Sequence, residues 1–138
     1  MGVENIKEEI MRASRYNFTL DLQTQESQVC LVATLEDTNR ELNISFSDGG
    51  EPIELEGNES VMLYIDRPDG TTYESAEGTD FIEKDKNEHF YVKIPFKKEM
   101  FSTHGVYKFK LNIIEANDAD ACVWSPQFTM VVSEKKNS

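Results

Sequence analysis

The chain is poor in the residues that most often carry chemistry. Two cysteines, two histidines and one tryptophan are spread over 138 residues. Two cysteines with no supporting histidines fall far short of a zinc ligand set. Cys30 and Cys122 sit in the apolar contexts VCLV and ACVW. They are expected to be buried free thiols, with an inter-strand disulfide as the alternative. His89 and His104 have no serine or cysteine nucleophile in a shared motif, so acyl transfer lacks its base. No GxSxG, HExxH, P-loop or GxGxxG is present. Nothing calls for a cofactor or a metal, and the expectation is a protein that is not an enzyme.

Long apolar runs are missing as well. None approaches the ~18–20 residues of a membrane span. The opening MGVENIKEEIMRAS carries acids and no apolar segment, so it is not expected to be a signal peptide, and the chain is expected to be made and kept in the cytosol or to leave by lysis. Basic residues are scarce: 14 Lys and Arg stand against 26 Asp and Glu, a net charge of −12. That field repels phosphate backbones and anionic lipid, which argues against nucleic-acid and membrane partners and leaves basic proteins open.

What the chain does have is alternation. Hydrophobic residues make up 38% and aromatics 10%, enough for one sandwich-sized core in a single domain. Phe18, Leu20 and Leu22 alternate with polar residues. So do Val29, Leu31, Ala33 and Leu35 after the polar break TQESQ. Leu42, Ile44 and Phe46 follow, then Val61, Leu63 and Ile65, then Phe90, Val92 and Ile94. The longest run is Tyr107, Phe109, Leu111 and Ile113. Asp48-Gly49-Gly50, Gly57-Asn58, Asn117-Asp118-Ala119-Asp120 and above all Arg67-Pro68-Asp69-Gly70 are turn signals. Pro52 marks an edge position, and Ser125-Pro126 breaks the last strand pair. Residues 96–103 read as a connector with one helical turn. Eight to ten short strands predict an all-β antiparallel sandwich, immunoglobulin-like or jelly-roll-like, with a closed barrel as the alternative.

The spacing of Val3, Ile6, Ile10 and Met11 predicts a short N-terminal helix over residues 3–13. At about three turns it needs something to dock on, either its own sandwich or a neighbouring subunit. The organisation expected is therefore an N-terminal helical arm at 1–15, a β-sandwich at 16–133 and a polar tail at 134–138. Asp37 and Arg40 precede the Leu42–Phe46 strand and are candidate loop anchors, Arg40 lying against Asp37 or another carboxylate. Charge is segregated. Eight acids and one base lie between Glu36 and Glu59, and five lysines and one acid between Lys93 and Lys110. Complementary contact patches are one consequence. Asn117, Asp118 and Asp120 lack the rest of a calcium loop and read as a turn. Trp124, Tyr64, Tyr73 and Tyr91 could serve a glycan-binding face, so a carbohydrate-binding module is the alternative function.

Several pieces, in order, resemble one known family. They are Tyr16-Asn17-Phe18-Thr19-Leu20-Asp21-Leu22-Gln23, Ser27-Gln28-Val29, Asp37-Thr38-Asn39-Arg40, and the strand into Ser47-Asp48-Gly49-Gly50-Glu51-Pro52. Arg67-Pro68-Asp69-Gly70-Thr71, Gly105 before a long strand, and Ser125-Pro126-Gln127-Phe128 leading into Val131-Val132 complete the set. Over residues 16–133 the chain is similar to the N-terminal domain family of phage baseplate upper proteins, found in tailed phages and prophages of Gram-positive bacteria. The resemblance implies a β-sandwich adaptor in the virion tail baseplate, assembled in the host bacterial cytoplasm. Its implied partners are a tail hub protein and sister copies in a homo-oligomer. The family carries receptor-binding proteins on a longer C-terminal part. The resemblance covers residues 16–133 alone, so it implies the adaptor role and leaves receptor-binding-protein attachment open.

Overall fold

The computed structural model describes residues 15–35, 39–75 and 81–134. The expected N-terminal helix, with Val3, Ile6, Ile10 and Met11, lies outside the described residues, as does Asp37.

Eleven strands form two sheets among the described residues. They are β1 (Arg15–Asp21), β2 (Glu26–Thr34), β3 (Glu41–Asp48), β4 (Glu51–Ile53), β5 (Ser60–Asp66) and β6 (Thr72–Glu74). The remainder are β7 (Ile82–Lys84), β8 (Phe90–Pro95), β9 (Gly105–Glu115), β10 (Asp118–Trp124) and β11 (Gln127–Ser133). The first sheet runs β1-β3-β8-β7, with β4 on β3. The second runs β2-β11-β9-β5-β6, with β10 on β9. The all-β sandwich is as the alternation predicts. Eleven strands exceed the expected eight to ten by one, and the short pieces β4, β6 and β7 fall at the Pro52 stretch, after the Arg67-Pro68-Asp69-Gly70 turn and next to Phe81 and Ile82.

Two pairings are parallel: β1 with β3, and β11 with β2. The cause is the route of the chain. β1 lies in the first sheet, β2 in the second and β3 in the first again. Two reversals across the sandwich bring β3 back alongside β1 pointing the same way. All the other pairs are antiparallel.

The core follows the pleat. Leu20, Leu42, Ile44, Phe46, Val92 and Ile94 bury from the first sheet. Leu63, Ile65, Tyr107, Phe109, Leu111, Phe128, Met130 and Val132 bury from the second. Phe128 joins the layers. Its ring stacks on Phe109 at 5.1 Å and meets Phe18 of the opposite sheet edge-on, also at 5.1 Å. Such aromatic pairs add about 0.5–1.5 kcal/mol beyond their burial.

Polar side chains complete the backbone where the ladders stop. Ser75 Oγ accepts from Leu63 N at 2.9 Å, and Ser125 Oγ accepts from Leu111 N at 2.9 Å, both buried. The buried carboxylate of Glu59 accepts from Glu56 N at 2.8 Å and Gly57 N at 2.9 Å, closing the loop before β5. The Tyr107 hydroxyl accepts from Ser102 N at 3.0 Å and Thr103 N at 3.1 Å and donates to the Thr103 carbonyl. This fixes the connector after the expected helical turn, a 3-10 turn at Lys98–Met100.

The Asp48-Gly49-Gly50 turn has a remote anchor. Asp21, at the end of β1, accepts from Gln23 N at 2.9 Å and Gly49 N at 3.0 Å through Oδ1. It accepts from Gly50 N at 2.8 Å and Ser47 Oγ at 3.0 Å through Oδ2. These donors, led by the Gln23 amide, hold its pKa below the ordinary carboxylate value. The parallel register that sets Asp21 beside Ser47 makes this possible.

Candidate protein-contact face

The outer faces of the two sheets differ. On the first sheet, Asn17 pairs with Asn43 and Thr19 with Ser45 across β1 and β3, and Asn43 faces Lys93 across β3 and β8. Asn43 Nδ2 donates to Asn17 Oδ1 at 3.1 Å, and the Thr19 and Ser45 hydroxyls lie 2.8 Å apart. This is a polar surface with side-chain hydrogen bonds across the strands.

The second sheet has an apolar row on its outside. Val131 pairs with Val32 of β2 on one side and with Val106 of β9 on the other. The three are 37%, 64% and 49% exposed, and Leu35 beyond the end of β2 is 39% exposed. Three β-branched residues in cross-strand register suit the pleat. Left in water, they form a contiguous patch of the kind that marks contact sites. The row runs out to β2, the edge strand of the sheet. The Tyr16 hydroxyl donates to the Val32 carbonyl at 2.5 Å and ties that edge to the first sheet.

Farther along the same face, Trp124 packs on Tyr64 at 5.3 Å, and Lys110 Nζ lies 5.5 Å from the Trp124 ring centroid. Lys108 pairs with Asp66 across β5 and β9. Two of the clustered lysines thus lie on this face. Of the acids, Glu54, Glu56, Glu59 and Glu115 gather at one end of the sandwich.

The cysteines correct the expectation of burial. Both are free and exposed. Cys30 pairs with Thr129 and Cys122 with Ile114, on the outside of the second sheet. The apolar neighbours that suggested a core setting for Cys30 are split between the faces: Leu31 turns inward, while Val32 belongs to the outer row.

Arg40 sits over the ring of Tyr16, 5.2 Å from its centroid, and its carbonyl accepts from Phe96 N at 2.9 Å. It therefore links the segment before β3 to both β1 and β8. The four aromatics considered for glycan binding do not come together. Tyr64 and Trp124 share the outer face of the second sheet, Tyr73 packs against the core, and Tyr91 lines a groove with Asn17, Asn43 and Ser45. His89 Nδ1 meets Glu54 at 2.5 Å and His104 Nδ1 meets Glu134 at 3.3 Å. Among the described residues no three His, Cys, Asp or Glu side chains are grouped to hold a metal ion, and no helix is long and apolar enough to cross a membrane. The valine row was missed in the sequence because Val32, Val106 and Val131 are far apart along it. The only local sign was apolar residues on both phases of β2 and β11.

No family model matches the chain, and no curated protein matches its sequence. Among solved structures, the N-terminal domain of phage TP901-1 ORF48 is similar, with a TM-score of 0.62 and 10% identity, over 88% of this chain and 98% of that one. Drosophila Semaphorin 2a aligns over 82% of this chain and 15% of that one, at 13% identity and a TM-score of 0.32, too low to carry an argument. The chain thus has the fold of a phage protein's N-terminal domain.

Proposed function

We propose that this chain is a non-enzymatic structural adaptor of a phage or prophage tail baseplate, contacting a tail hub protein and sister copies of itself. The observation that carries the reading is the fold, shared over 98% of a phage protein's N-terminal domain. The ordered sequence resemblance to baseplate upper proteins over residues 16–133 supports it. So does the uncovered Val32–Val131–Val106 row, which has the character of a contact surface. That row lies on the face that also carries Lys108 and Lys110.

The test is co-expression of the chain with the hub protein of the same tail gene cluster, followed by size and stoichiometry measurement at several concentrations. A complex of fixed stoichiometry is expected, weakened by a charge at Val131. A strict monomer that forms no complex with the hub, together with tails that assemble fully without the chain, would refute the proposal.

A further inference from the structure

At one end of the sandwich lies a cavity of about 200 Å³, lined from both sheets and by the loop before β5. Leu22, Phe46, Ile53, Leu55, Ile113 and Val123 supply apolar walls. Glu54, Glu56, Glu59 and Glu115 also line it, and among the described residues no lysine, arginine or histidine does. Glu59 is buried and spent on the loop amides. Glu54 meets His89. Glu56 and Glu115 are exposed. Val123, on the wall, is 46% exposed, a large apolar side chain left open to solvent.

We propose that this cavity is a socket for a lysine or arginine side chain projected by a partner protein. The proposal rests on the reading of the chain as a protein-contact domain and names the chemistry of one contact. Long basic side chains are amphipathic. Their methylene stem covers apolar surface while the charged head stays at the rim. An apolar wall beside carboxylates is the complement of that shape. A neutral apolar side chain would fill the cavity but cover the carboxylates without pairing them, and an acidic one would be repelled. The net charge of −12 steers basic partners toward the chain as a whole, and the socket gives one of their side chains a place to seat.

The test uses the full chain with isotope-labelled methyl groups, titrated with n-butylammonium and, separately, with n-butanol. Saturable shifts at Leu55, Ile113 and Val123 are expected with n-butylammonium. Binding should be weaker by about threefold or more for n-butanol, and for n-butylammonium in a Glu56→Gln/Glu115→Gln variant, the scale of an exposed ion pair. Both substitutions are at exposed positions, and unchanged signals elsewhere verify the fold. No saturable shift overturns the proposal. Equal binding of alcohol and amine, or binding indifferent to the two substitutions, overturns it in favour of a neutral apolar occupant. These outcomes are read on the isolated chain with a small cation. Failure of the baseplate reading is read separately, as absence of a complex with the hub.

Discussion

Val131 and Val132 are neighbours in β11, yet they lie on opposite sides of the second sheet. Val131 is 37% exposed between Val32 and Val106, whereas Val132 is 2% exposed between Ala33 and Gly105. An aspartate at each position separates the surface from the core. Val131→Asp gives up only the part of a valine that folding buries, on the order of 1–2 kcal/mol, and its carboxylate remains in water. Val132→Asp gives up the full ~1.5–3 kcal/mol and buries an unpaired carboxylate at a further cost of several kcal/mol. That total rivals the ~5–15 kcal/mol that holds a domain together. Urea unfolding followed by Trp124 fluorescence is the assay. Val131→Asp is expected to fold and to unfold at modestly lower denaturant, while Val132→Asp is expected to be unfolded without denaturant. Sedimentation velocity on the folded variant then reads its association with sister copies, which should weaken. Equal damage from the two substitutions, or the reverse order, would refute the assigned phase of β11, because a one-residue slip exchanges the two faces.

Three other outcomes are expected. Phe128→Ala, which removes the ring between Phe109 and Phe18, should cost about 3–5 kcal/mol by chemical denaturation, and Phe128→Leu should recover most of that. Gly57→Ala should lower the melting temperature and expression, because Gly57 has a φ of +101° and an added Cβ would lie 2.6 Å from the Phe90 ring. The third outcome concerns acid. Asp69 is held at about 2 by the hydroxyl of Thr71 and then by its amide, and Asp21 and Asp85 are also lowered, by amide donors led by Gln23 and His89 respectively. A depressed folded-state pKa means the stabilisation is present above the unfolded value near 3.8 and is lost as pH falls through the folded value. Melting temperature should therefore fall between about pH 4 and pH 2, and Asp69→Asn should flatten that slope.

Much of the secondary structure was legible from neighbouring residues alone. Alternation placed β3, β5, β8 and β9. Arg67-Pro68-Asp69-Gly70 placed the hairpin between β5 and β6, where Gly70 N now bonds the Arg67 carbonyl at 3.1 Å. Pro52 fell on the short edge strand β4, and Pro126 fell between β10 and β11. Two boundaries shifted. The polar break TQESQ is shorter than its composition suggests, because β2 begins within it at Glu26, and the turn expected at Asn117–Asp120 gives way to β10 from Asp118. In both places the strand pairs at its first residue, Glu26 with Gln127 and Asp118 with Glu115, and the register then shifts before regular pairing resumes.

The sequence by itself determined an acidic all-β domain, the position of most strands and the residues that can alternate into a core. Those properties depend on charge count, period and turn chemistry, all of which act over a few residues. Tertiary structure alone decided which strands run parallel, that Asp21 would hold a turn more than twenty residues away, and that Cys30 and Cys122 would face outward. It also gathered Val32, Val106 and Val131 into one row and set carboxylates around an apolar socket. The physical reason is that a strand with apolar residues on both phases leaves its inner face ambiguous. Only the partner strands, which arrive from distant parts of the chain, decide which side becomes core and which remains a surface for another molecule.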